Sequence, residues 1–145
     1  MARAKSLGID DHVRLLGPRP VVALSRYLAQ ADILLSPRSH GSNTPLKLYS
    51  YMKAAKPILA TRIRSHTQVL DDSCALLCEP DAAALARGLT VLAEDPALCT
   101  RLGNTAAARV ETDFTLAAFE RKLLGAYRSV AVAHVSATSE PRPSC

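Results

Sequence analysis

Short apolar runs alternate along this chain with segments of helical periodicity. The runs are too brief for helices and are bounded by Gly, Pro or polar residues, so they predict buried strands at residues 13–16, 33–36, 57–61 and 75–78. Strands that are apolar throughout and alternate with helices are typical of a parallel sheet covered on both faces. We therefore expect an α/β protein with a Rossmann-like open parallel sheet and helices on both faces.

The helical segments carry their own start signals. Residues 21–31 have apolar side chains at helical spacing, and Asp81, Asp95 and Thr115 are good N-caps for helices at the three positions that follow, 82–93, 97–111 and 116–132. The last residues are rich in Ser, Pro and Thr, which predicts a disordered tail at 133–145. One domain at residues 1–132 is the expectation.

Composition and charge limit the kinds of partner and the location expected for this chain. The chain has 145 residues, 48% apolar and 4% aromatic, enough for one core of Leu, Ala, Val and Ile. The net charge of +5 favours a nucleotide diphosphate or peripheral contact with an anionic membrane, or it serves solubility alone. No apolar run approaches the roughly 18 residues of a membrane span, so a cytoplasmic location is expected. His and Cys do not cluster, and neither a metal, a cofactor nor a nucleic-acid partner is predicted.

Residues 41–47 predict an anion site. Thr44 is a good N-cap and Pro45 suits the first helical position. The amides of Leu46 and Lys47 would then lie unpaired at the positive end of the helix. Gly41 lets the preceding backbone approach a ligand closely. This arrangement fits a phosphate group.

Further candidates surround this loop. On a helix from Pro45, Asn43, Lys47 and Ser50 share one face. Arg38 and His40 follow the strand at 33–36, at the edge of a parallel sheet where ligands gather. Each of these side chains has a plain alternative, as a solvated surface group or a packing residue. No pair of carboxylates has the spacing for acid/base work, so the catalytic residues stay unknown.

The run from Ser42 to Thr61 resembles the sugar-donor-binding, C-terminal half of GT-B-type retaining glycosyltransferases of the group 1, family 4-like kind. Those enzymes have two Glu separated by seven residues across a helix start, then a Gly-Lys-Pro-Val-like turn into a strand. Aligning Leu48 to Ile58 on that pattern puts Ser42 and Ser50 where the two Glu would be. A subset with an Asn-Thr-Pro-Leu-Lys core carries small polar residues there. The similarity runs from about Ile9 to Tyr127. Residues His66, Thr67 and Gln68 resemble a segment that closes over the sugar donor in such enzymes, although Gln68 fits a turn residue equally well.

The resemblance implies a glycosyltransferase that binds a UDP- or GDP-linked sugar and transfers the sugar with retention, without a metal. The complete fold has two α/β domains with the active site between them, and one domain fills this chain. We therefore expect half of a GT-B fold, lacking its first strands and its acceptor domain, and without sugar transfer by itself. The alternative is a non-catalytic nucleotide- or protein-binding module derived from such a domain. A flavodoxin-like regulatory domain is disfavoured because no acidic pocket is visible.

Overall fold

The computed structural model describes residues 2–138, with side chains described for residues 2–130. In that range the chain forms a three-stranded parallel sheet in the order β1-β2-β3. In the register of the sheet, Leu34 lies beside Ile58 and Leu59 beside Leu76. The strands are β1 Leu34–Ser36, β2 Ile58–Thr61 and β3 Leu76–Cys78, and the helices are α1 Ala2–Ser6, α2 Leu24–Gln30, α3 Lys47–Lys53, α4 Arg64–Thr67, α5 Ala82–Glu94, α6 Pro96–Asp113 and α7 Leu116–Thr138.

Strand β2 is the centre of the core. Ile58, Leu59 and Ala60 are each 0% exposed. Because successive side chains of a strand point to opposite faces, Ile58 and Ala60 pack into one apolar cluster and Leu59 packs into another. The first cluster draws on α2, α3 and α6, and the second on α5 and the first half of α6. The predicted parallel sheet with helices on both faces is confirmed.

The three predicted helix caps are confirmed. The Ala84 amide donates to the Asp81 carboxylate at 2.8 Å, and the Leu98 amide donates to the Asp95 carboxylate at 2.8 Å. The Ala118 amide donates to the Thr115 hydroxyl at 3.1 Å. Each cap satisfies one of the free amides that begin a helix.

Two expectations about the ends of the domain need correction. Residues 13–16 form no strand, because within the described chain they have no partner strand, and Leu15 and Leu16 stay exposed. Helix α7 also continues past residue 132 to Thr138. The first part of the predicted disordered tail is therefore helical, and residues 139–145 lie outside the described residues.

Helices α3 and α6 pack directly against each other. Helix α3 ends in a turn where Ala55 has a φ of 53°, and Gly103 of α6 approaches the Ala55 carbonyl. This turn leads into β2 and sets where α3 lies relative to the sheet. Among the described residues, no helix has the length and apolar content needed to cross a membrane.

Candidate anion-binding site at the end of strand β1

A cavity of about 350 Å³ lies at the carboxyl end of β1. Strand β1 ends at Ser36, and the loop to α3 then turns back over the edge of the sheet. The cavity has no acidic lining residue, and its lining residues are Ser36, Arg38, Asn43, Thr44, Pro45 and Lys47. The structure thus brings four of the predicted site residues together, namely Arg38, Asn43, Thr44 and Lys47.

The charge of this cavity comes from Arg38 and Lys47. Partial burial, and then the nearby charge of Arg38, lower the pKa of Lys47. The Lys47 ammonium lies 5.5 Å from the centre of the Tyr51 ring, a cation–π contact. Within the part of the chain described, neither cation forms an ion pair, and no group of three or more metal-ligating side chains lies close together. The charged side chains that line the cavity are therefore both cationic, which suits an anion.

Arg38 is held by its own loop. Its Nη1 donates to the Asn43 carbonyl at 2.9 Å. Gly41 has a φ of +137°, and a Cβ placed on it would lie 2.9 Å from the Arg38 Cζ. Since an L side chain rarely adopts that φ, Gly41 permits both the turn and the close approach of the guanidinium. The sequence predicts that the backbone at Gly41 closely approaches a ligand. In the structure, the group that lies close to Gly41 is the Arg38 guanidinium.

The predicted helix start is wrong in detail. Helix α3 begins at Lys47 and is seven residues long, and no side chain caps it. Before it, the Pro45 carbonyl accepts from the Leu48 amide in a tight turn. The Thr44 hydroxyl instead donates to the Gln68 Oε1. Thr44 therefore does not cap α3, because its hydroxyl is used in a contact with a residue distant in sequence.

Gln68 holds the loop at two points. Besides accepting from Thr44, it donates through Nε2 to the Ser42 carbonyl at 3.1 Å. It directly follows α4, in the segment after β2. The two bonds tie the far half of the loop to that segment.

His66 links the ends of β1 and β2. It is 0% exposed. Its Nδ1 lies 2.8 Å from the Thr61 carbonyl and its Nε2 lies 3.0 Å from the Ser36 hydroxyl. A proton on Nδ1 satisfies the carbonyl and leaves Nε2 to accept from Ser36. Burial first, and then the charges of Lys47 and Arg38, lower the pKa of His66, so the neutral ring is favoured.

Besides Gly41, four predicted site residues do not line the cavity. His40 is exposed and its Nδ1 pairs with the Ser39 hydroxyl at 3.0 Å. Leu46 is 82% exposed, which confines its predicted role to the backbone amide. Ser50 lines a different, mainly apolar cavity of about 560 Å³ between α2 and α3. Ser42 contributes its carbonyl to Gln68 rather than a side-chain contact.

Sequence reasoning missed Ser36 and the bonds of His66. Ser36 was assigned only to a strand, and it is the first polar side chain after an apolar run. A polar residue at the carboxyl end of a parallel strand is the signal that would have marked it.

Comparison with known proteins shows the family to which this parallel sheet and its cavity belong. Residues 1–95 match the family model described as "Glycosyl transferases group 1". The chain belongs to this family of glycosyltransferases.

Two curated relatives are similar over most of this chain. The amylovoran biosynthesis glycosyltransferase AmsK of Erwinia amylovora is 29% identical over 73% of this chain. The D-inositol 3-phosphate glycosyltransferase of Streptomyces avermitilis is 34% identical over 74% of it. The chain spans 28% and 24% of the lengths of these relatives, respectively.

A solved structure supports the fold assignment. The crystal structure of HepE from Anabaena in complex with UDP superposes with a TM-score of 0.78 at 17% identity, over 88% of this chain and 35% of that chain. At this identity the likeness concerns the fold alone. The sheet and its surrounding helices match the Rossmann-like architecture of GT-B glycosyltransferases.

Proposed function

We propose that this chain is the sugar-donor-binding, C-terminal half of a retaining GT-B glycosyltransferase and that its cavity binds the diphosphate of a UDP- or GDP-linked sugar. The observation that carries this proposal is the convergence of Arg38 and Lys47 on one cavity that has no acidic lining residue. Membership of the family, and the UDP complex of a protein with the same fold, support it.

The chemistry would be electrostatic. Sugar transfer breaks the bond between the anomeric carbon and the diphosphate oxygen, and negative charge grows on the leaving nucleoside diphosphate. Arg38, held against Asn43 and Gly41, offers a fixed guanidinium to that charge. Lys47 adds an ammonium held over the Tyr51 ring, and a bound anion would raise its lowered pKa again. Charges positioned before the reaction stabilise the leaving group without reorganisation.

The acceptor side is also a proposal. Transfer requires the acceptor hydroxyl within bonding reach of the donor sugar. The chain spans about a quarter of its curated relatives' lengths. We therefore place the acceptor site on a second domain outside these residues, and we expect no transfer by this chain alone. Retention of the anomeric configuration would be read from the product's anomeric proton couplings, once both domains are supplied.

The test is calorimetry with UDP and GDP at low salt. Lys47→Met and Arg38→Gln should each weaken binding about ten- to a hundredfold, since a charged hydrogen bond contributes about 1.5–3 kcal/mol. Lys53→Met is the matched control, because it removes the same charge from the other end of α3, away from the cavity. Absence of binding at millimolar nucleotide, or an equal loss in Lys53→Met, would contradict the proposal.

One observation favours the non-catalytic alternative. Ser42 and Ser50 stand where the resembled enzymes have two Glu, and Ser50 lines the apolar cavity rather than the cationic one. Binding of nucleotide diphosphate without turnover, in the presence of an acceptor domain, would support this alternative over the enzyme.

A further inference from the structure

The cationic loop, residues 37–46, is held from outside at both ends by a short anchoring segment, residues 61–68. At the near end, the Thr61 hydroxyl donates to the Arg38 carbonyl. At the far end, Gln68 accepts from the Thr44 hydroxyl and donates to the Ser42 carbonyl. The anchoring segment itself contributes no residue to the cavity lining.

We propose that Gln68 is a positioning residue for nucleotide-diphosphate binding, because its two bonds hold the cationic loop in the shape that brings Arg38 and Lys47 to one cavity. This inference rests on the proposed function. Gln68 acts through Ser42 and Thr44, and it does not touch the ligand.

Two further contacts make the anchoring segment a rigid support. His66, buried within it, bonds to Ser36 at the end of β1 and to Thr61 at the end of β2. Val69 and Leu70, directly after Gln68, are 3% and 1% exposed and belong to the larger apolar cluster. The backbone that carries Gln68 is therefore fixed from both sides. Its side-chain amide is exposed and bonds to the loop. A side chain attached to such a base can fix a loop that has no regular structure of its own.

The geometry also explains why Arg38 needs this support. Its guanidinium bonds to the Asn43 carbonyl, inside the same loop. Asn43 lies between Ser42 and Thr44, the two residues that Gln68 contacts. If the Gln68 bonds are lost, the acceptor that orients Arg38 moves with the loop.

The experiment compares wild type, Gln68→Ala and the control Thr90→Ala, an exposed residue of α5 whose hydroxyl bonds back to the Ala86 carbonyl of the same helix. Hydrogen exchange of loop amides is measured by mass spectrometry without ligand, and UDP affinity by calorimetry. Because Gln68 is exposed, Gln68→Ala should keep its melting temperature within about 2 °C of wild type. We expect faster exchange at residues 39–46 and at least fivefold weaker UDP binding in Gln68→Ala, with neither change in Thr90→Ala.

A second pair of variants isolates the Thr44 contact. Thr44→Val removes the hydroxyl and keeps the shape. If Thr44 acts through Gln68, Thr44→Val weakens UDP binding in the wild-type background and has no added effect in the Gln68→Ala background. Additive losses would show that Thr44 acts independently of Gln68, and would overturn that part of the inference.

The two readouts separate the possible failures. Unchanged exchange at residues 39–46 in Gln68→Ala shows that Gln68 does not anchor the loop, whether or not UDP binds. Faster exchange with unchanged affinity shows that the anchor does not serve binding. Either result overturns the inference. If wild type binds GDP but not UDP, the affinities are measured with GDP. If it binds neither, the proposed function fails by itself, and with it the positioning role, while the exchange arm still decides whether the anchor exists.

Discussion

The Gly103 Cα faces the carbonyl of Ala55, and a Cβ built on Gly103 would lie 2.4 Å from that carbonyl oxygen. The contact joins α6 to the turn that ends α3. The obstacle is backbone rather than the end of a flexible side chain, so it cannot move aside cheaply.

Gly103→Ala should therefore destabilise the domain by about 2–3 kcal/mol, the usual loss on overpacking a tight contact. Urea denaturation followed by circular dichroism measures it. Gly125→Ala is the matched control, since nothing lies within 4 Å of a Cβ at that helical glycine. The control should be neutral or gain up to about 1 kcal/mol from helix propensity. Similar losses in both variants would contradict the packing explanation.

Ala55→Gly should stabilise the chain by about 0.5–1 kcal/mol. Ala55 has a φ of 53°, a left-handed conformation that Gly adopts without steric cost. It aligns with the Gly of the Gly-Lys-Pro-Val-like turn in the resembled family. Ala54→Gly, at a residue with a φ of −73°, should instead lower stability by a similar amount. Thermal denaturation of the two variants tests the difference in sign.

Folding stability should fall as pH drops below about 6.5, because the pKa of His66 is lowered in the folded chain from its ordinary value of 6.5. Below that value His66 is protonated in the unfolded chain and stays neutral in the folded chain. The unfolding free energy therefore declines by at most about 1.4 kcal/mol per pH unit. The groups that face the ring are neutral Ser36 and Thr61 and the cations Arg38 and Lys47.

Denaturation midpoints at pH 7.5 and pH 5.5 measure this slope. In His66→Asn the slope between these two values should shrink, although the variant is less stable at both. The exposed loop residue His40 provides the control, and His40→Asn should keep the wild-type slope. A wild-type slope that survives in His66→Asn would assign the effect to another group.

A second titration should appear in acid. Bonds from Ser73 and then the Arg109 guanidinium lower the pKa of Asp71 to about 2. The stabilisation is present above the ordinary value of 3.8 and is lost as pH falls from there to about 2. Because Asp71 is 54% exposed, solvent screening limits the effect to about 1 kcal/mol.

The change Asp71→Asn tests this assignment. At pH 7 it should cost about 1 kcal/mol, and the difference from wild type should vanish near pH 2. Asp72→Asn is the matched control, since Asp72 is 68% exposed and, among the described side chains, pairs with the exposed Arg62 alone. That control should change stability little at either pH. If Asp71→Asn is still less stable than wild type at pH 2, the loss comes from packing rather than from charge.

Local signals in the sequence predicted much of the fold. The apolar runs marked β1, β2 and β3, and Asp81, Asp95 and Thr115 marked three helix starts, because an apolar run and a capping residue are both visible in a few neighbouring residues. The run at 13–16 failed because apolar composition cannot tell whether a partner strand exists.

The candidate site was predicted less completely. Arg38 and Lys47 were found from their places after a strand and beside a loop. The bonds of Gln68 to Ser42 and Thr44 were not, since they join residues 26 and 24 positions apart. Thr44 shows the limit most clearly. Its local pattern predicts a helix cap, but the Thr44 hydroxyl donates to the side-chain amide of the distant Gln68 instead.

The division of β2 between two apolar clusters has a consequence for how the domain comes apart. Ile58 and Ala60 pack into one cluster and Leu59 packs into the other. If either layer of helices detached, one face of the same strand would be exposed to solvent. Melting therefore cannot proceed layer by layer, and the two layers should be lost in one cooperative transition. Damage to the packing on either face is then shared by the whole sheet, including the edge where β1 ends and the cationic loop begins.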